Sequence, residues 1–133
     1  MSLYVDSSAL LKHYVDEPDR ERFEQIFASD PVRLTGRHSV VEVRRNLARL
    51  LEPRDALAMR AAFAEDLRTL HLVEIDAVLC EDAAGVAEVT GVRTLDALHL
   101  AAARRAGDGV TLLTFDLRQA QAARSLGLPV VGA

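Results

Sequence analysis

Two acidic residues in this chain stand at the ends of apolar runs: Leu3-Tyr4-Val5 leads into Asp6, and Val110 to Phe115 leads into Asp116. If both runs are buried strands, both carboxylates lie at the carboxyl edge of a sheet, where open α/β sheets take their ligands. Asp96 and Glu42 fall in segments of helical periodicity near strand-to-helix transitions, from which they can face the same edge. Four carboxylates gathered there without Lys or Arg would repel one another and add nothing to stability. A divalent cation removes the conflict. Hard oxygen donors suit Mg²⁺ or Mn²⁺, and the sequence offers no convincing Cys and His set for zinc. A cation held in this way acidifies a bound water and stabilises charge on a phosphate, so the implied chemistry is phosphodiester hydrolysis.

Each acid also has a plainer reading. Asp6 and Asp116 can be helix caps, and Asp96 can be a first-turn residue answering the helix dipole. Glu42, close to Arg45, Asn46 and Arg49, can be a solvated ion-pair partner. Ser7 and Ser8 offer oxygens beside Asp6, and Thr114 can bond a metal-bound water or cap the next helix. His99, one turn after Asp96, reads as a core or supporting histidine rather than a ligand. His13, His38 and His71 have no comparable setting.

These residues need elements to position them. Ser2 to Val5 reads as a strand buried on both faces, followed by a helix from about Ala9 to Val15 and another that restarts at Pro18. Val32 to Thr35 is a second strand. A helix over Ser39 to Leu51 buries Val40, Val43, Leu47, Leu50 and Leu51, leaving Glu42 on the flank of that stripe, and Pro53 opens a long helix to Arg68 whose apolar face is broader than one core contact needs. Leu70 to Ile75 is a strand or a helix end. Asp76 caps a helix to Val89 that Gly91 stops, and a helix capped by Thr94 runs to Gly107. Val110 to Thr114 is a strand, the helix from Asp116 ends before Gly127, and Leu128 to Val131 makes a last strand. Strands alternating with helices imply a parallel sheet covered on both faces.

The chain's 133 residues, half of them hydrophobic, fit one domain spanning 1–133. The single Cys80 cannot pair internally and reads as a small core residue, which suits a reducing cytoplasm. No leader pattern opens the sequence and no apolar run approaches a membrane span. A net charge of −4 speaks against a nucleic-acid binder at first sight, but with four of the 20 acids gathered in a cation site the remaining 16 face 16 basic residues. Arg44, Arg45 and Arg118 are candidates for phosphate contact.

Taken together, Tyr4-Val5-Asp6-Ser7-Ser8-Ala9-Leu10-Leu11-Lys12, Val41-Glu42, Leu95-Asp96-Ala97-Leu98-His99-Leu100-Ala101 and Leu113-Thr114-Phe115-Asp116 resemble the PIN-domain ribonucleases, and among them the VapC toxins of prokaryotic toxin–antitoxin pairs. The resemblance runs from Leu3 to Val131. It implies a three-layer α/β fold with a twisted parallel sheet of four or five strands, and Mg²⁺- or Mn²⁺-dependent endoribonuclease activity giving 5′-phosphate and 3′-hydroxyl ends. It implies Asp6, Glu42, Asp96 and Asp116 as the catalytic, metal-holding acids with Ser7 and Thr114 in support. A VapB-type antitoxin and a homodimer are the implied partners. A non-catalytic module of the same fold is the competing reading. A small-molecule phosphatase fits less well, because Ser8 stands where its second Asp belongs.

Overall fold

The computed structural model describes residues 1–133. In chain order the elements are β1 (Ser2–Val5), α1 (Ser7–Leu11), α2 (Arg20–Ala28), β2 (Arg33–Gly36), α3 (Ser39–Leu50), α4 (Pro53–Leu67), β3 (His71–Val73), α5 (Ala77–Thr90), α6 (Thr94–Arg105), β4 (Val110–Thr114), α7 (Leu117–Ser125) and β5 (Val130–Gly132). The five strands form one sheet in the order β3-β2-β1-β4-β5, every pair parallel. The chain moves outward from β1 to β2 and β3, then returns to β1's other side for β4 and β5. The order therefore reverses around β1, and the crevice beyond its carboxyl end is the natural ligand position in such a sheet.

Side chains of successive strand residues point to opposite faces, so β1 and β4 feed two separate cores. On one face Val5 and Leu113 pack with Leu10, Phe23, Val43, Leu47 and Phe63 from α1 to α4. On the other, Tyr4 and Leu112 pack with Leu79, Val86, Leu100 and Ala123 from α5 to α7. These are the three layers expected from the alternation of strands and helices. Tyr4 and Val5 are wholly buried, which fixes the strand that ends on Asp6.

Local signals place most boundaries. Asp76 accepts the Leu79 N–H and caps α5, and Gly91 closes it in the left-handed region at φ 75°. Four expectations need correction. The first helix begins at Ser7, not Ala9, because Asp6 itself is the cap, and it gives way to turns after Leu11. Thr94 lies inside α6, whose N-cap is the extended Arg93 without a side-chain cap. Leu50, the last residue of α3, is exposed. Cys80 is exposed rather than in the core: α5 buries Leu79, Ala83 and Val86, and Cys80 lies about 100° around the axis from that stripe.

α1 must be held firmly, since it starts at Asp6. Tyr14, in the turn after α1, donates its hydroxyl to Asp66 Oδ2 of α4 at 2.6 Å while its ring packs edge-on against Phe63. Tyr14→Phe is expected to keep the packing and lose the bond, at about 1 kcal/mol because water can replace the tyrosine at the half-exposed Asp66. A lower urea midpoint at constant m would report that loss.

Candidate active site

Asp6 is buried at the end of β1, 3% exposed. One carboxylate oxygen, Oδ1, accepts the Ala9 N–H at 2.8 Å and the Ser8 hydroxyl at 3.0 Å, so the residue does cap α1. Its second oxygen does something a cap has no need of. Oδ2 accepts the Thr114 hydroxyl at 2.6 Å and the Gln119 amide N–H at 3.4 Å, both from the far side of the sheet reversal. Burial raises its pKa, against the opposing influence of His99 and of the hydrogen bonds from Thr114, Ala9 and Ser8.

Asp116 caps α7 through Oδ1, which accepts the backbone N–H groups of Arg118 and Gln119. Thr114 connects the two acids: its hydroxyl donates to Asp6 and accepts the Asp116 backbone N–H at 3.1 Å. Asp96, in the first turn of α6, is half-buried. Burial raises its pKa first, and the negative charges of Asp116, Asp6 and Glu42 raise it further. Asp96 therefore sits in the field of the other three acids. None of the chain's ion pairs gives Asp6, Asp96 or Asp116 a Lys or Arg partner.

Glu42 departs from its plain reading. It pairs with no arginine; Arg49 bonds Asn46, which in turn bonds the Glu42 backbone carbonyl. Its carboxylate instead accepts from His99 Nε2 at 2.8 Å and lies 3.6 Å from His38 Nε2. Burial alone would raise its pKa, but the His99 hydrogen bond and charge, with Ser7 and His38, bring it below the usual range. Ser7 accordingly faces His99 Nε2 at 3.3 Å, and it is Ser8 that orients Asp6.

Three participants, His38, Gln119 and Arg93, were not anticipated from the sequence, and a fourth, His99, takes the supporting place expected of it. His99 is buried and joins Tyr4 Oη, 2.8 Å from its Nδ1, to Glu42. His38 stacks against it with ring centroids 4.0 Å apart. Its spacing of four residues from Glu42 on one helix face was the available signal. Gln119 sits three residues after the Asp116 cap, the place of the Gln in a capping box, but reaches inward to Asp6 because Thr114 already takes the Asp116 N–H. Arg93 joins Arg118 in lining a groove of about 880 Å³ that exposes Asp96 and Asp116. Arg44 and Arg45 line a different groove, between α3 and α4.

The donors suit a hard divalent cation: Asp96 and Asp116 line one groove, Asp6 and Glu42 lie in the field of Asp96, and none of the four has a Lys or Arg partner, though Glu42 is held by His99 and His38.

Comparison with known proteins agrees with this architecture. The family model described as PIN domain matches residues 3–125. The chain is 34% identical over 131 residues to Ribonuclease VapC46 of Mycobacterium tuberculosis, covering 98% of this chain and 96% of that protein. Among solved structures it resembles FitAcB from Neisseria gonorrhoeae, with a TM-score of 0.77 at 18% identity, covering 96% of this chain and 95% of that one. It also resembles Mycobacterium tuberculosis VapC20, described as a sarcin-ricin loop cleaving toxin, with a TM-score of 0.76 at 21% identity and 98% of each chain covered. Sequence, sheet order and relatives coincide: the chain belongs to the PIN-domain family, in its VapC branch.

Proposed function

We propose that this chain is a divalent-cation-dependent endoribonuclease and the toxin of a toxin–antitoxin pair, a single domain over residues 1–133 that works in the cytoplasm. The observation that carries this reading is that Asp6, Glu42 and Asp116 all act on Asp96 while none of the four acids has a Lys or Arg to neutralise it. Asp6, Glu42, Asp96 and Asp116 would hold Mg²⁺ or Mn²⁺. When bound, such a cation supplies Lewis acidity toward the phosphate and an acidic water.

The chain's own residues supply the rest. Thr114, Ser8 and the Ala9 N–H fix both oxygens of Asp6, so its carboxylate does not rotate. His99, with its ring set by Tyr4, orients Glu42. Arg93 and Arg118 flank Asp96 and Asp116 and are placed to bind RNA phosphates on either side of the scissile bond. Without them the acids would repel the polyanion.

For the partner, the groove between α3 and α4 carries the exposed Val41 and Leu57 beside Arg44, Arg45 and Arg60. That surface suits an apolar, acidic antitoxin segment. FitAB and VapBC complexes among the solved relatives support a small VapB-type antitoxin, and a toxin homodimer is part of the same proposal.

The test is to sequence 5′-phosphorylated RNA ends after brief induction in cells. The native chain is expected to create new ends clustered at a few sites, and Asp96→Asn to create none. The same new ends in both would overturn the reading.

A further inference from the structure

We propose that His38, Glu42 and His99 form a second cation pocket, a two-nitrogen, one-carboxylate site that takes Zn²⁺ or another borderline divalent ion in preference to Mg²⁺, and that filling it withdraws Glu42 from the four-carboxylate crevice. The binding stands on this cluster alone, whereas the withdrawal rests on the reading of Glu42 as one of the catalytic acids.

The ligand atoms of the three residues all lie within 4.8 Å of one another. Donors on a tetrahedral Zn²⁺ with bonds of ~2.0–2.2 Å stand roughly 3.3–3.6 Å apart. Glu42 Oε1 is 2.8 Å from His99 Nε2 and 3.6 Å from His38 Nε2, and the two histidines' ligand nitrogens lie within 4.8 Å, so shifts of roughly 0.5–1 Å complete the geometry. Imidazole nitrogens favour zinc and its neighbours over magnesium, which retains water in preference to nitrogen ligands.

Three further observations mark the pocket as built. Both ring nitrogens of His38 are buried without a hydrogen-bond partner. Such groups are costly to bury and rare without a purpose. Tyr4 Oη, 2.8 Å from His99 Nδ1, can accept an Nδ1–H, and in that tautomer Nε2 turns its lone pair to the pocket with no change in net protonation. Gly36 makes the room: a Cβ there would overlap the His38 ring and lie 2.8 Å from Tyr4 Oη. The Glu42 side chain remains 18% exposed, which leaves a path for the ion.

The experiment uses the metal-free full chain, titrated with ZnCl₂, CoCl₂, MgCl₂ and MnCl₂ by calorimetry, with visible absorption for Co²⁺ and ¹⁵N signals for the histidine rings. One Zn²⁺ per chain is expected, with Co²⁺ giving the intense absorption of a four-coordinate site. Nε2 signals of His38 and His99 should move with Zn²⁺ while those of His13 and His71 stay. His38→Gln and Gly36→Ala should each weaken Zn²⁺ by at least about tenfold. Asp116→Asn should weaken Mn²⁺ and leave Zn²⁺ intact. Unmoved His38 and His99 signals in the native chain, or loss of Zn²⁺ in Asp116→Asn, would overturn the proposal. An inactive nuclease that still binds Zn²⁺ through these rings would refute the proposed function and leave the pocket standing.

Discussion

Asp6→Asn is expected to reduce RNA cleavage by roughly 1000-fold or more, because a ligand that positions a cation worth several kcal/mol to the transition state loses its charge. The same variant should stay folded. Asn keeps the oxygen that accepts the Ala9 N–H and the Ser8 hydroxyl, so α1 keeps its cap. The new amide N–H₂ replaces Oδ2, where Thr114 and Gln119 now donate. Both can adapt. The Thr114 hydroxyl can turn to accept, and Gln119 carries a buried Oε1 with no partner that an amide flip would bring to the new donor. Removing a buried negative charge also ends its desolvation cost. Single-turnover cleavage of a labelled RNA, with far-UV circular dichroism on the same sample, checks both halves. Cleavage within about tenfold of the native rate would show that Asp6 is no more than a cap.

The parts of this molecule written in local sequence were the parts that could be read. Leu3 to Val5 and Val110 to Thr114 announce themselves as buried strands, and Asp76, Gly91 and Pro53 mark helix ends by their own backbone chemistry. The acids at the strand ends followed from the topology those strands impose. What escaped were long-range partnerships. Nothing near Gln119 says that its amide meets Asp6, 113 residues away, or that His99 bridges Tyr4 and Glu42. Such contacts depend on the order β3-β2-β1-β4-β5, and a strand pattern alone does not give that order. Cys80 shows the converse: in an alanine-rich helix the buried stripe is weakly marked, and one residue of phase decides burial.

Asp96→Asn separates a metal ligand from a structural residue by the sign of its effect. Asp96 sits in the field of three other carboxylates, and burial with that field holds its pKa above 3.8 in the folded chain. A carboxyl raised on folding binds its proton more tightly in the native state, so its contribution to stability falls as pH rises from 3.8 through the raised value. Without metal, the Asn variant should therefore melt at or above the native temperature at neutral pH, and the difference should vanish on the acid side of 3.8. Mn²⁺ reverses the order. At about 100 times its dissociation constant the cation stabilises the native chain by about 2.7 kcal/mol, and the variant should gain little of this. Asp116→Ala gives the contrast, because it removes the cap on the Arg118 and Gln119 N–H groups and should cost about 1 kcal/mol even without metal. Melting all three proteins with and without Mn²⁺ distinguishes the cases. If Asp96→Asn lost stability in the metal-free state and kept the full Mn²⁺ shift, the acid would be answering the α6 dipole and not a cation.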